Sequence, residues 1–255
     1  GAVTVTQGKL EGLSLSSLIL DGGADYIASD AHQSVLRSSH TFSTWCQLDD
    51  GTRGVVQSLW GANNSDSTDS SELYIGTDGK ITYFYESNNN KKYAVSNAAV
   101  FANGLTPWHH VVATMSYTDS SNAVMKLYFD GVEVILDGTN NGVYVGNMAD
   151  YTSADEVFVG ALDTNGTASR WIDGKMRDFK VFDYALSVDQ VASLYSGSYN
   201  VTPYHWYKLD EAAFGNATDS GTTAYTGSAE GGLSSSKGTL DLDSTLTIAA
   251  NGTLS

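Results

Sequence analysis

The chain has 255 residues, enough for one sizeable hydrophobic core or two modest ones. Its formal net charge is −16 at pH 7, because 29 Asp and Glu outnumber 13 Lys and Arg. This charge argues against binding to nucleic acid and to anionic membrane surfaces, and no run approaches the roughly 18 apolar residues that membrane insertion requires. Cys46 is the only cysteine, so no disulfide can form within the chain.

Short runs of β-branched and aromatic residues, separated by Gly, Asn, Asp and Ser, predict about eleven strands. In chain order these runs are SLSSLIL, TFSTWCQL, GVVQSLWG, SELYIG, KITYFYES, KKYAVS, HHVVATMSY, VMKLYFDG, VEVILDG, EVFVGAL and KMRDFKVFDY. Asp-Gly pairs at 78–79 and 130–131 predict tight hairpins, since both central residues of a type I′ turn need positive φ. So many short strands indicate a β-sandwich or barrel.

One short helix is predicted after the last of these strands, in ALSVDQVASLYSGS. Ser187 can cap its first turn, and Gln190 stands three residues later as the capping-box partner. The apolar stripe consists of Val188, Val191 and Leu194 (or Tyr195). Gly197 ends the helix.

The motifs FSTWCQL, PWHHVVATMSY, MKLYFDGVEV, FVGALD and WIDGKMRDFKVFDYALSVDQVASLY, in this order, resemble the laminin G-like, concanavalin A-like jelly-roll family. The resemblance covers roughly residues 8–197. It implies an all-β, concanavalin A-like jelly-roll sandwich of two antiparallel sheets with one short helix. We therefore predict a laminin G-like domain over residues 1–200 and a C-terminal β-rich extension over residues 201–255.

The Trp-His-His triplet at 108–110 is predicted to have a packing role. Alternation along the strand places Trp108 and His110 on one face and His109 on the other. No nucleophile or carboxylate stands at a recognisable catalytic spacing from either histidine.

The resemblance also implies one structural calcium ion. The segment DGGADYI is similar to a family loop that lies beside the closing strand, so Asp25 and Asp178 would be carboxylate ligands, with a backbone carbonyl near Gly22 or Gly23. Calcium takes six to eight oxygen ligands of these kinds. In the alternative interpretation Asp25 ends a strand and Asp178 forms a salt bridge with Arg177 or Lys180.

Glycosidases of the same architecture place two Glu around an Asp on one strand. The seven Glu of this chain never occur as Glu-x-Asp-x-x-Glu or Glu-x-x-x-Glu. The sequence therefore predicts no hydrolase of that type, and we expect a protein that is not an enzyme.

Loops rich in Asn, Asp, Ser and aromatic residues, at 60–72, 86–92, 137–156 and 162–171, suit carbohydrate binding, since sugars bind amides, carboxylates and aromatic faces. The same residues are also ordinary turn formers. The predicted carbohydrate contacts are Trp60, Asn64, Asp66, Asp163, Asn165 and Trp171.

Residues 235–255 repeat Thr-Leu with polar spacers, a pattern similar to fibre-like segments, and they contain too few large apolar residues for a core of their own. We expect them to mediate self-assembly or attachment to a larger particle; a flexible tail and a final strand of the sandwich are the alternatives. Two functions remain open: a non-catalytic module that binds a surface glycan or polysaccharide outside the cell, at a cell surface or on a virion, or a structural decoration or assembly protein without a glycan ligand.

Overall fold

The computed structural model describes residues 16–29, 34–63, 68–119, 122–138, 147–148, 151, 156–198, 201–211, 215–223 and 225–236. The strands are β1 Ser17–Asp21, β2 Tyr26–Ser29, β3 His40–Leu48, β4 Gln57–Asn63, β5 Ser70–Ile75, β6 Ile81–Ser87, β7 Asn90–Val95, β8 His109–Tyr117, β9 Ala123–Phe129, β10 Val132–Glu133, β11 Val157–Val159, β12 Leu162–Thr164, β13 Thr167–Ser169, β14 Asp173–Phe182, β15 His205–Tyr207, β16 Asn216–Ala217, β17 Gly227–Glu230 and β18 Ser234–Ser236. A 3-10 turn covers Val35–Arg37, and helix α1 covers Val188–Tyr195. No helix in the described part of the chain is long and apolar enough to cross a membrane.

The strands form two antiparallel sheets that pack face to face, which confirms the predicted jelly-roll sandwich. The first sheet has the order β10-β9-β8-β3-β14-β1-β18, and β15 also pairs with β14. The second sheet has the order β16-β17-β2-β11-β4-β5-β6-β7. A separate hairpin of β12 and β13 follows β11.

The core lies between the sheets and is rich in aromatic rings. Phe42 on β3 stacks on Trp60 on β4 with ring centroids 3.7 Å apart, and both side chains are fully buried. On β8, Val111 and Met115 point into this core, while Val112 packs on the opposite face. The predicted alternation of β8 is therefore confirmed.

Both predicted Asp-Gly hairpins are present. The first joins β5 to β6, and Gly79 has a φ of 75°, but Asp78 does not have a positive φ, so the predicted type I′ turn is wrong for this hairpin. The second joins β9 to β10 through Asp130 and Gly131, whose φ values are 50° and 79°, as a type I′ turn requires.

The histidines of the Trp-His-His triplet hold neighbouring elements in place. His109 Nδ1 lies 2.8 Å from Asp130 Oδ2, and the backbone N–H of His110 donates to Asp130 Oδ1 at 2.9 Å. The buried His110 ring bonds through Nε2 to Ser43 Oγ at 2.8 Å. Burial lowers the pKa of His110 to about 3, so its ring is neutral at pH 7.

Helix α1 covers the outer face of the first sheet, the face turned away from the second sheet. The Ser187–Gln190 capping box is confirmed, and Gly197, with a φ of 76°, follows the end of the helix. Of the predicted stripe, Val191 and Leu194 are buried against Val112, Tyr128 and Phe182. Val188 is 49% exposed, so the apolar stripe is narrower than predicted.

The described residues between 201 and 236 are part of the sandwich. Strand β15 pairs with β14, β17 with β2 and β18 with β1, and Tyr207 and Leu209 are fully buried. A domain boundary at residue 200 is therefore corrected for the described residues, because strands on its C-terminal side complete both sheets. Ser235 and Ser236 belong to β18, and the rest of the predicted assembly segment lies outside the described residues.

Candidate functional site

The outer face of the second sheet carries a groove of about 380 Å³. We name it the sheet groove, and its lining residues are Asn63, Ser70, Glu72, Tyr74, Phe84, Glu86, Lys91, Tyr93, Leu162 and Arg170. Most of them come from β5, β6 and β7, where they alternate with core residues such as Leu73 and Tyr83. The alternation that builds the core therefore also builds the groove.

The strand register brings the aromatic rings of the sheet groove together. Glu72 is opposite Phe84 on the neighbouring strand, and Phe84 is opposite Tyr93 on the next. The rings of Phe84 and Tyr93 lie 4.8 Å apart at an angle of 35°. Phe84, Tyr93 and the nearby Tyr74 are all only partly buried, so their rings form part of the surface.

A buried carboxylate lies beside these rings. Glu72 Oε2 accepts a hydrogen bond from Arg170 Nη1 at 2.6 Å, and only 4% of the Glu72 side chain is exposed. Its other oxygen, Oε1, has no hydrogen-bond partner among the described residues. Burial raises the pKa of Glu72 to about 7, although Arg170 opposes this shift.

A second carboxylate lies in the adjacent row of side chains. Glu86 is opposite Ser70 on one side and Lys91 on the other. Lys91 Nζ lies 3.4 Å from Glu86 Oε1, and the lysine side chain is 51% exposed whereas that of Glu86 is 5% exposed. Burial raises the pKa of Glu86, and the charge of Lys91 opposes this rise.

The β12–β13 hairpin forms a wall of the sheet groove. It lies close to β4 because Gly61 has no side chain: a Cβ there would be 2.6 Å from Leu162 Cδ1. Asp163 Oδ1 accepts from the backbone N–H of Gly166 at 2.7 Å, and Asn165 has a φ of 56°. These two predicted sugar contacts thus shape the hairpin turn, where Asp163 is fully buried and Asn165 is exposed.

The remaining predicted contacts have different positions. Trp60 is in the core, so the expectation that its ring forms a contact surface is corrected: the ring is stacked on Phe42 and has no exposed area. Trp171 is partly buried and packs against a small cluster that includes Phe158. Asn64 and Asp66 lie outside the described residues.

The structure does not bring the predicted calcium ligands together. Asp21 pairs with Asp173 and Leu18 with Met176 in the antiparallel β1–β14 ladder. Asp25 therefore follows the end of β1 that lies next to Asp173. Asp178 is five residues further along β14, so its backbone lies roughly 16 Å from that of Asp173 at the rise of a strand.

The two carboxylates also have separate partners. Asp25 accepts from the backbone N–H groups of Asp21 and Gly232. Asp178 Oδ1 bonds to Lys180 Nζ at 3.1 Å and to Trp206 Nε1 at 3.0 Å.

These positions do not fit a shared calcium ion. Gly23 donates its backbone N–H to Asp21 Oδ1 at 2.8 Å. The ammonium group of Lys180 beside Asp178 would repel a cation. Within the described ranges, no group of three or more His, Cys, Asp or Glu side chains is arranged to hold a metal ion.

Residues 21–192 match a family model for laminin G domains described as the concanavalin A-like lectin/glucanases superfamily. The chain therefore belongs to this superfamily. No curated protein sequence matches the chain.

Similar solved structures include carbohydrate-binding proteins. The CBM40 module of the Ruminococcus gnavus IT-sialidase is 16% identical with a TM-score of 0.53, and the match covers 72% of this chain and 99% of the module. The same module bound to α2,3-sialyllactose is 16% identical with a TM-score of 0.51, and this match also covers 72% of this chain and 99% of the module. A putative carbohydrate binding protein from Bacteroides ovatus is 15% identical with a TM-score of 0.56, over 87% of this chain and 59% of that protein. At these identities the similarity shows the fold.

Proposed function

We propose that the chain is a non-catalytic carbohydrate-binding module and that its ligand lies in the sheet groove. The observation that carries this proposal is the row of Glu72, Phe84 and Tyr93, in which a buried carboxylate stands beside two partly exposed rings. Sugars present hydroxyl donors at the ring edge and C–H groups on the ring face, which suit these two partners.

The charges of the groove support binding without catalysis. Arg170 pairs with Glu72 and Lys91 with Glu86, and these ion pairs hold the two glutamate side chains at fixed positions. The carbohydrate-binding modules with the same fold support the ligand class. Display outside the cell, at a cell surface or on a virion, is part of this proposal.

The test is a glycan array probed with the full chain, followed by Tyr93→Ala. Loss of one stacking ring should weaken binding about fivefold, since an aromatic contact contributes about 1 kcal/mol. Tyr184→Ala is the matched control, because Tyr184 is also partly exposed but lies after β14, near helix α1. Equal losses in both variants would contradict the site, and release of reducing sugar from a bound glycan would contradict a non-catalytic role.

A structural or assembly function is the second candidate, and one observation favours it. Among the described strands, β18 forms an end of the first sheet, and an edge strand can pair with another chain. In this case residues 235–255 would mediate contacts between copies or with a larger particle, and no glycan would bind the sheet groove.

A further inference from the structure

A second groove adjoins the sheet groove and shares Arg170 with it. Its volume is about 560 Å³, and we name it the arginine groove. Its lining includes Arg53, Val55, Val56, Arg170 and Trp171. A ligand in the sheet groove can therefore continue past Arg170 into the arginine groove.

Backbone carbonyls hold Arg53 at this groove. Its Nη1 donates to the carbonyl of Trp171 at 3.4 Å and its Nη2 to the carbonyl of Gly22 at 3.3 Å. Asp173 Oδ2 lies 3.7 Å from its Nε. A guanidinium has five N–H donors, and 29% of this side chain is exposed, so donors remain for a ligand.

Arg170 is the second cation of the groove. Its side chain is 44% exposed, and among the described residues its side-chain hydrogen bond is the one from Nη1 to Glu72. The aspartates that surround Arg53, among them Asp173, do not line the arginine groove. The lining of the arginine groove therefore holds two guanidinium groups and no carboxylate, while Asp173 and Glu72 each pair with one of these guanidinium groups from outside that lining.

Apart from Thr77, the rest of the lining is apolar. Val55 is 53% exposed, which is high for a large apolar side chain, and the indole of Trp171 is only partly buried. An apolar surface between two fixed guanidinium groups suits a sugar ring that carries an anionic substituent.

We propose that the arginine groove binds an acidic sugar residue, with its carboxylate or sulfate between Arg53 and Arg170, while neighbouring residues of the same glycan occupy the sheet groove. This inference rests on the proposed function and defines its ligand class as an acidic oligosaccharide. Neutral oligosaccharides bind the sheet groove alone, and so bind more weakly.

The test compares matched acidic and neutral glycans on one array: sialyllactose with lactose, oligogalacturonate with its methyl ester, and a sulfated oligosaccharide with its desulfated form. We expect at least one acidic member to bind the full chain about tenfold more tightly than its neutral partner. Raised salt should reduce this ratio, because screening weakens contacts between partly exposed charges. The pair that shows the preference tells whether the anion is a carboxylate or a sulfate.

Val55→Asp adds a carboxylate to the arginine groove at a position whose side chain is 53% exposed. It should bring the acidic-to-neutral ratio close to one. Val132→Asp is the matched control, because Val132 is 69% exposed on the β9–β10 hairpin of the other sheet. Arg53→Gln should have the same effect as Val55→Asp.

Each outcome decides the inference. A ratio near one in the unmodified chain, or a ratio that survives both Val55→Asp and Arg53→Gln, would overturn the acidic subsite and leave the proposed function intact. Absence of binding to every glycan would overturn both.

Discussion

Asp25 Oδ1 accepts a hydrogen bond of 2.7 Å from the backbone N–H of Gly232, 207 residues further along the chain. The other oxygen of Asp25 accepts from the N–H of Asp21 at 3.3 Å. One buried carboxylate thus joins the β1–β2 loop to the β17–β18 turn. The first described strands and the last ones depend on each other through this contact.

Asp25→Ala is expected to lower the free energy of unfolding by about 1–3 kcal/mol, because it leaves two backbone N–H groups without an acceptor. Urea unfolding measures the effect, and Asp210→Ala, at an exposed position, is the control. Equal stability of the two variants would show that the loop and the turn are not coupled.

A chain that ends at Asn200 is expected to fail to fold cooperatively. It lacks three strands that pair with the rest of the sandwich: β15 pairs with β14, β17 with β2 and β18 with β1. It also lacks the buried Tyr207. A chain that ends at Ser236 keeps all these pairs and should unfold in one transition. Circular dichroism during heating compares the two, and a folded chain ending at Asn200 would restore the predicted domain boundary.

Light scattering of the Ser236 chain and the full chain tests the proposed assembly. The full chain should associate and the shorter one should be a monomer if residues 237–255 carry the contact. Two monomers would contradict self-assembly through residues 237–255 and leave the glycan proposal untouched.

Local signals in the sequence predicted the turns, the helix cap and the alternation of β8, because each depends on residues close together in the chain. Burial of Trp60 could not be predicted in this way. The β4–β5 register shifts between Ser58 and Trp60, and as a result both Leu59 and Trp60 face the core. Strict alternation would have placed only one of them inside.

The residues of the sheet groove could not be predicted from the sequence for a different reason. Alternation in SELYIG and ITYFYES places Glu72 and Phe84 on non-core faces, but only strand pairing shows that they are neighbours. Arg170 reaches Glu72 from 98 residues further along the chain. Such contacts depend on the three-dimensional arrangement, so the sequence predicted the ligand class from loop composition and missed the residues of the groove.

Asp178→Ala is expected to destabilise the protein by about 3 kcal/mol. Asp178 stands at a register shift of β14 with a φ of 55°, where it pairs with Lys180, a side chain that is only 3% exposed. Removing one partner leaves a buried charge without this counterion. Asp178→Asn is the matched variant, since it tolerates the positive φ and keeps an acceptor for Trp206.

The same variant tests the calcium prediction. We expect the loss of stability in Asp178→Ala to be equal with calcium and with EDTA, because Lys180 and Trp206 bind this carboxylate. If chelation lowers the melting temperature of the unmodified chain and not that of Asp178→Ala, then Asp178 is a calcium ligand.

The raised pKa of Glu72 gives a defined dependence of stability on pH. Its usual value is 4.5 and the folded value is about 7, because burial disfavours the charged form. The folded state therefore holds this proton more tightly than the unfolded state does. The resulting stabilisation is complete below pH 4.5, is lost as pH rises to about 7 and is absent above, a change on the order of 3 kcal/mol.

Glu72→Gln removes this titration and keeps the size of the side chain. The variant should gain stability relative to the unmodified chain by on the order of 3 kcal/mol between pH 4.5 and 7, with no further change above pH 7. Burial lowers the pKa of His40 to about 4, so this histidine destabilises the folded state as pH falls. The effect is the same in both proteins and cancels when their free energies of unfolding are subtracted. Urea unfolding at four pH values measures the difference, with the exposed Glu133→Gln as control. Parallel stability curves for Glu72→Gln and the unmodified chain would show that Glu72 is ionised throughout this range and that Arg170 outweighs its burial.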